Sequence, residues 1–376
     1  MRIEGLVIQD FRNYAWAAVE FARPVTALVG RNGQGKTNLL EALYVASTLQ
    51  SFRSARTEDV VRRGAEGFFV RARLGGPAGE RTATVQGGAG GLTATLDGRC
   101  LRGSGELRSL VPAVVFSPED LILAGSGSEP RRRYLDRLAA LTQRASHADD
   151  LRRARRVTEQ RNRLLARRAT DALEVWDQQL AVTYARIAAR RQQAAAAVAA
   201  RLHDTYARLG GPGVVGCAYR PAFGGEPEPD PGAREEQILK ALARRRSQEI
   251  RAAMSLVVPQ RDEVVLDLDG RPVPQQASRG EARLLALALR GVELELTRGA
   301  AGEPPLLLLD DVLSELDGIR VGRVLDFIQG GDQVVLTALE TAALGELGAG
   351  ATVYRVEDGW LGPDVGRPKV DAPRSL

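Results

Sequence analysis

Cysteine, histidine and lysine are scarce in this chain, and each scarcity removes a class of function. The two cysteines, Cys100 and Cys217, stand far apart in unrelated contexts, and His147 and His203 are the only histidines. That set cannot assemble a zinc or iron–sulfur centre. The two thiols are therefore expected to be small buried side chains in a reducing compartment. No run of about 18 uninterrupted apolar residues occurs, so a membrane span is not expected. Met1 to Leu6 already reads as structure, so no signal peptide is expected and the chain is read as cytoplasmic. Lysine occurs only at Lys36, Lys240 and Lys369, and arginine carries nearly all the positive charge behind a net +5. At 376 residues, 44% hydrophobic and 26% charged, the composition is that of a soluble globular protein with one large or two ordinary domains.

One of the three lysines lies in the most informative segment. Gly30-Arg31-Asn32-Gly33-Gln34-Gly35-Lys36-Thr37 fits the pattern GxxxxGK[ST]. It follows the apolar run Val25 to Val29 and precedes a helical pattern from Asn38, the strand–loop–helix setting a phosphate cradle needs. In that setting backbone N–H groups close around a phosphate at the positive end of a helix. Lys36 then reaches the β/γ oxygens and Thr37 ligates Mg²⁺. The expected partner is Leu306-Leu307-Leu308-Leu309-Asp310-Asp311, a buried strand ending in two carboxylates. Asp310 is the expected outer ligand of Mg²⁺, and Asp311 is placed to orient or activate water. The interval from Thr37 to Asp310 is 310 − 37 = 273 residues, enough for a whole inserted lobe.

Between these halves the pattern changes twice. Phe68 to Leu74, Arg81 to Gln86 and Leu92 to Leu96 alternate as strands, with a turn at Asp97-Gly98. From about Arg131 to Leu209 the sequence turns helical, without proline or glycine, and predicts a lobe with one or two long hairpin arms. Between Arg131 and Arg168 thirteen arginines face four acids. Arg131, Arg132, Arg133, Arg152, Arg153, Arg155 and Arg156 are candidates for phosphate contact with DNA; a solvated helix face is the other reading. Nearer the C-terminus, Ala277-Ser278-Arg279-Gly280-Glu281 opens a strong helix. Ser278 reads as its N-cap, and Gly280 keeps the backbone open to an approaching anion. Ser314-Glu315-Leu316-Asp317 follows the carboxylate strand. The expected organisation is an N-terminal ATPase part over 1–120, a helical lobe over 121–274, a C-terminal ATPase part over 275–361 and a disordered tail over 362–376.

Four elements in this order resemble the ABC-type ATPase heads of the SMC and RecF group, and within it the RecF family over essentially the whole chain. Further residues carry the likeness: Phe11-Arg12-Asn13-Tyr14, Ser51-Phe52-Arg53, Ser117-Pro118-Glu119-Asp120-Leu121 and Gln160-Arg161-Asn162. The chain departs from the family at Gln260, where a histidine is usual. It also differs from transporter ATPases, with Thr337 near the place of their switch histidine and no Q-loop glutamine. The resemblance implies an α/β, mixed-sheet P-loop core with an inserted, mostly helical second lobe. It implies ATP and Mg²⁺ as ligands, with Ser278 and Gly280 completing the ATP site of an opposite subunit in an ATP-dependent homodimer. It also implies binding of single- and double-stranded DNA, work with RecO and RecR, and through them placement of RecA at gaps, with roles in replication restart and SOS induction. A slow, DNA-dependent ATPase switch is expected, since Asp311 is one methylene shorter than the glutamate usual at that position. The alternatives are a scaffold in which ATP glues two heads without hydrolysis, or another SMC-like or nuclease-associated ATPase.

Overall fold

Period-two alternation near the N-terminus and unbroken apolar runs elsewhere form two different sheets in the computed structural model. The structure describes residues 1–363 except 23, 55, 78, 126, 143, 170, 303, 313–317, 328–331, 342–343 and 345–349. It divides into two compact units, one of 1–119 with 301–376 and one of 120–300.

The first unit begins with β1 (Arg2–Phe11), β2 (Tyr14–Glu20), β3 (Val25–Val29) and α1 (Lys36–Thr48). Then come β4 (Gly67–Gly75), β5 (Arg81–Gly88), β6 (Gly91–Leu96), β7 (Arg99–Cys100), α2 (Gly105–Leu110) and β8 (Ala113–Phe116). The second unit contains α3 (Ser128–Thr142), α4 (Arg144–Ala166), α5 (Leu173–Arg208), β9 (Val215–Arg220) and α6 (Pro231–Ala252). It continues with β10 (Glu263–Leu268), β11 (Arg271–Pro272), α7 (Val273–Gln276) and α8 (Arg279–Ala301). The first unit resumes with β12 (Leu306–Leu309), α9 (Gly318–Leu325), β13 (Gln333–Ala338), β14 (Thr352–Glu357) and β15 (Trp360–Pro363).

Strands β2-β1-β4-β5-β6-β7 make an antiparallel sheet, and β15-β14-β3-β13-β12-β8 make a second in which only β15 runs antiparallel. The alternating segments have one wet face; the apolar runs Leu306–Leu309 and Gln333–Ala338 are buried along their whole length, as parallel strands are. Helix α1 shares one core with both sheets: Leu39, Leu40 and Leu43 join Ile3, Leu6 and Ile8 of β1 and Leu306 and Leu308 of β12. Eleven of its thirteen residues are buried, which is why its sequence shows no polar face.

In the second unit α4, α5 and α6 pack around Arg161. This fully buried guanidinium bonds Asp177 at 2.8 Å, Glu249 at 2.9 Å and Ser255 at 2.6 Å. Three helices thus meet on one cation, a device with no signal in hydrophobic periodicity. Asp262 forms a second node, accepting from Arg191 at 2.6 Å and Tyr219 at 2.6 Å and from the Tyr184 hydroxyl. It lies two residues after the departing Gln260, which is exposed.

Several details differ from the expectations. Contacts group 275–300, including most of α8, with the helical unit. Strand β15 extends to Pro363, past the boundary set at 361, while 364–376 lie outside the described residues. Cys100 is exposed, because it sits on the edge strand β7 facing outward. Cys217 is half-buried, and burial pushes its thiol up to about 12.

Candidate nucleotide site

The loop after β3 turns into α1 with Gly35 in a left-handed conformation, φ 115°, at the helix N-cap. A Cβ at Gly35 would stand 2.6 Å from the Asn13 side chain, so the loop closes this tightly only with glycine. No side chain caps α1, and its first turn holds no acid. The free N–H groups and the positive end of the helix dipole are therefore left to an anion.

The turn between β1 and β2 supports this loop from below. Asn13 donates to the Gln34 carbonyl at 3.0 Å and accepts from Asn38 at 2.7 Å, and the Tyr14 hydroxyl donates to the Gly35 carbonyl at 3.0 Å. Gln34 in turn accepts from the backbone of Asp358 and Gly359. Arg12 holds Glu41 of α1 through two bonds of 2.8 and 2.7 Å.

Lys36 curls back over the loop and donates to the Gly30 carbonyl at 2.5 Å and the Arg31 carbonyl at 3.0 Å. It is 6% exposed and makes no ion pair among the described residues. Burial pushes its ammonium below the ordinary value, while Asp311 and then Asp310 act the other way. A buried ammonium whose bonds are all to neutral carbonyls has unused capacity for an anion, so phosphate oxygens fit here.

Asp310 directly follows β12, which β13 separates from β3 in the parallel register. Its Oδ1 accepts from Thr37 at 2.8 Å and from Thr337 at 3.1 Å. Thr37 and Asp310 lie 273 residues apart in sequence, and this bond joins the two halves of the motif. Burial raises the Asp310 carboxyl above the ordinary range, a shift the two hydroxyl bonds oppose. A desolvated carboxylate beside a hydroxyl suits Mg²⁺, which needs one or two such ligands and completes its shell with water and phosphate. No cluster of three or more acidic, histidine or cysteine side chains that could cage a metal occurs among the described residues. Asp311 follows in a left-handed conformation, φ 50°, with its N–H bonded to Thr337 at 2.7 Å.

Sequence reasoning gave no role to three residues that the fold brings to this site. Thr337 spans both carboxylate positions from the end of β13. Arg53 reaches Asn38 at 3.0 Å and Glu119 at 3.2 Å, and its charge lowers the Asp310 carboxyl. Glu41, fully buried, ties the Arg12 turn to the Arg53 loop by also accepting from Ser51. The signals were weak ones: a polar loop directly after α1, and a lone glutamate inside a buried helix.

The remaining candidates separate by environment. Ser278 caps α8 in a reciprocal box, its N–H bonded to Glu281 at 2.8 Å and its Oγ accepting from the Glu281 N–H at 3.3 Å. A Cβ on Gly280 would meet nothing within 4 Å. The segment Ser314 to Asp317 lies outside the described residues.

Among the arginines, Arg131 is a correction. It is buried, and its guanidinium bonds the carbonyls of Val264, Leu123 and Gly125. It holds the lobe together and offers nothing to a surface phosphate. Arg132 is half-buried on the Asp262 carbonyl at 2.7 Å. Arg133, Arg152 and Arg155 are exposed but paired with Glu129, Asp149 and Glu159. Arg153 and Arg156 are exposed on α4 and have no bonded partner among the described residues. Ala154, Val157, Arg161 and Leu165 fill the opposite, buried stripe of that helix.

The whole described core matches a family model, the RecF/RecN/SMC N terminal domain, over residues 2–361. The chain is 37% identical over 368 residues to the DNA replication and repair protein RecF of Anaeromyxobacter sp. (strain Fw109-5), covering 96% of this chain and 99% of that protein. A solved structure of the recombination mediator protein RecF with ATP, in the RecFOR pathway, superposes with a TM-score of 0.87 at 26% identity, covering 96% of this chain and 97% of that one. An SMC head bound to the C-winged helix domain of ScpA shares the fold, with a TM-score of 0.51 at 15% identity and 96% of each chain covered. With identity running through nearly the full length of both chains and the same fold over nearly all of each, this chain belongs to the RecF family of ABC-type ATPases.

Proposed function

We propose that the chain is an ATP-dependent DNA-binding protein of recombinational repair and replication restart, acting in the cytoplasm. The observation that carries this reading is the state of Lys36 and Asp310: a buried ammonium bonded only to carbonyls, followed in the chain by Thr37, whose hydroxyl donates to a buried carboxylate bonded only to hydroxyls. Both charges are desolvated, and Mg·ATP offers each an opposite charge.

Lys36 and the first-turn N–H groups of α1 hold the phosphates, Thr37 and Asp310 hold Mg²⁺, and Asp311 orients the attacking water. Mg²⁺, when bound, neutralises phosphate charge. Ser278 and Gly280 of a second copy close the same ATP from the other side, so that ATP drives a homodimer. The dimer clamps single- or double-stranded DNA with the exposed arginines of α4, and slow, DNA-dependent hydrolysis releases it. Proteins of the RecO and RecR type are the partners, leading to RecA loading at gaps and SOS induction. The relative solved with ATP in the RecFOR pathway supports this assignment.

Sedimentation and DNA titration with and without Mg·ATP test it. We expect a monomer that becomes a dimer with ATP and binds DNA more tightly, with turnover at or below about 1 s⁻¹. Mass and DNA affinity that ignore ATP would refute the switch. A dimer that holds DNA with no turnover would favour the scaffold alternative.

A further inference from the structure

The antiparallel sheet of the first unit leaves one face in solvent, and that face has a composition the nucleotide site does not explain. Cross-strand register sets Trp16, Gln9 and Phe69 side by side, with Gln86 and Thr93 continuing the row. The next row is Ala18, Val7, Arg71, Thr84 and Thr95. Register partners share a face, so both rows point away from the core that holds Ile8, Phe68 and Val70.

Trp16 is 62% exposed. The Arg71 guanidinium lies 5.1 Å from the Phe69 ring centroid, and it makes no hydrogen bond or ion pair among the described residues. The acids of this face stand apart. Glu20 is bound by Arg73 across Gly5, which has no side chain to intervene, and Glu4 lies over Gly75. What remains around the rings is amide, hydroxyl and one free guanidinium.

We propose that this face is a stacking platform for single-stranded nucleic acid, with bases laid on Trp16 and Phe69 and a backbone phosphate on Arg71. Two strand spacings separate the rings, about 10 Å, so two unpaired bases can lie flat without contacting each other. Gln9, Gln86 and Thr93 offer donors and acceptors to base edges without selecting one base. Paired bases inside a duplex cannot present their faces to the rings, whereas a single strand can. The inference rests on the DNA-binding reading, but it adds a surface distinct from the α4 arginines and specific for unpaired strands.

The test uses the full chain with oligo-deoxythymidine and with a blunt duplex of mixed sequence. Oligo-deoxythymidine should quench the fluorescence of Trp16, and that component should vanish in Trp16→Phe while binding is largely kept. Trp16→Ala and Phe69→Ala should each weaken single-strand binding about tenfold and leave duplex binding unchanged. Arg71→Ala should lower the single-strand salt slope by about 0.7. Trp16 and Arg71 are exposed and Phe69 is half-buried on the same face, and a urea midpoint close to that of wild type confirms the fold. Single-strand affinity that survives both aromatic deletions overturns the platform, as does a parallel loss for duplex and single strand. A wild-type chain that binds duplex but not oligo-deoxythymidine refutes the platform alone, and one that binds neither refutes the DNA-binding reading as well.

Discussion

Asp310→Asn separates the charge of the metal position from its geometry. Thr37 and Thr337 both donate to the same oxygen, Oδ1, and an asparagine carbonyl accepts both bonds unchanged. The substitution therefore removes one buried negative charge and little else. Burial raises the Asp310 carboxyl in the folded chain, so the folded state binds this proton more tightly than the unfolded state. The ionised group thus costs stability above its folded pKa, and the cost disappears as pH falls below the unfolded value of 3.8. Without ligand at neutral pH, the asparagine variant should be at least as stable as wild type. With Mg·ATP the order reverses. At a ligand concentration of about 100 Kd the wild type gains about 2.7 kcal/mol. Losing an outer metal partner weakens binding by up to about 100-fold, and the same solution then stabilises the variant by only about 0.4 kcal/mol. Urea unfolding with and without Mg·ATP measures both terms, and ATP with EDTA isolates the metal. A variant that keeps the full gain from Mg·ATP would show that Asp310 does not hold the metal, and one that is less stable than wild type without ligand would refute the cost of the buried charge.

Further predictions follow from the same geometry. Lys36→Ala should abolish ATP binding in equilibrium dialysis, since no other ammonium faces the loop among the described residues; unchanged affinity would remove the phosphate assignment. Arg153→Ala and Arg156→Ala should weaken binding to all DNA sequences alike and each lower the duplex salt slope by about one. Arg131→Ala should instead leave three carbonyls without their donor and lower stability by about 3 kcal/mol, with DNA affinity of the folded protein unchanged. At Asp136 burial raises the carboxyl, but Arg191 and His147 outweigh it and hold the group down to about 2. Its contribution to stability is present above pH 3.8 and lost as pH falls to about 2, and Asp136→Asn should erase that part of an acid titration. Ser278→Arg should spare ATP binding by the monomer and block the ATP-dependent dimer, as light scattering would show.

Local rules in the sequence revealed the parts of this fold that depend on neighbours in the chain. Strands β3 and β12 were legible as apolar runs, and β3 matches its expected limits. The Asp97-Gly98 turn has both residues at positive φ, as its dipeptide predicts. Interactions that join distant segments left no such trace. Arg131 and Arg153 look alike in a list of arginines; one ends among carbonyls of the core and the other in water. The difference comes from α4 presenting Ala154 and Val157 inward, while Arg131 lies at the start of α3 beneath β10. Arg161 likewise reads as one more surface cation until α5 and α6 supply Asp177 and Glu249. Strand β15 runs into the stretch expected to be a disordered tail, and Pro363 tolerates this edge position, where its missing N–H need not cost a ladder bond.

The capping box at Ser278 bears on whether that residue can also face a phosphate. Capping uses one lone pair of Oγ, which accepts from the Glu281 N–H. The hydroxyl has a second lone pair, but its proton already bonds the Glu281 carboxylate, so a phosphate contact requires that proton to turn from Glu281 to the arriving oxygen. The competing charge is Glu281, whose carboxylate is held below the ordinary range by its bonds to Ser278 and already sits at the helix start. An arriving phosphate must therefore approach past the open side of Gly280, which follows the exposed Arg279 in the chain. This arrangement separates the two roles by substitution. Glu281→Gln weakens the cap while lifting the repulsion, so it should loosen the start of α8 yet keep or strengthen ATP-dependent dimerisation. Ser278→Ala removes the cap and the donated proton together and should lose both. Dimerisation that follows helix stability equally in the two variants would leave Ser278 as a cap alone.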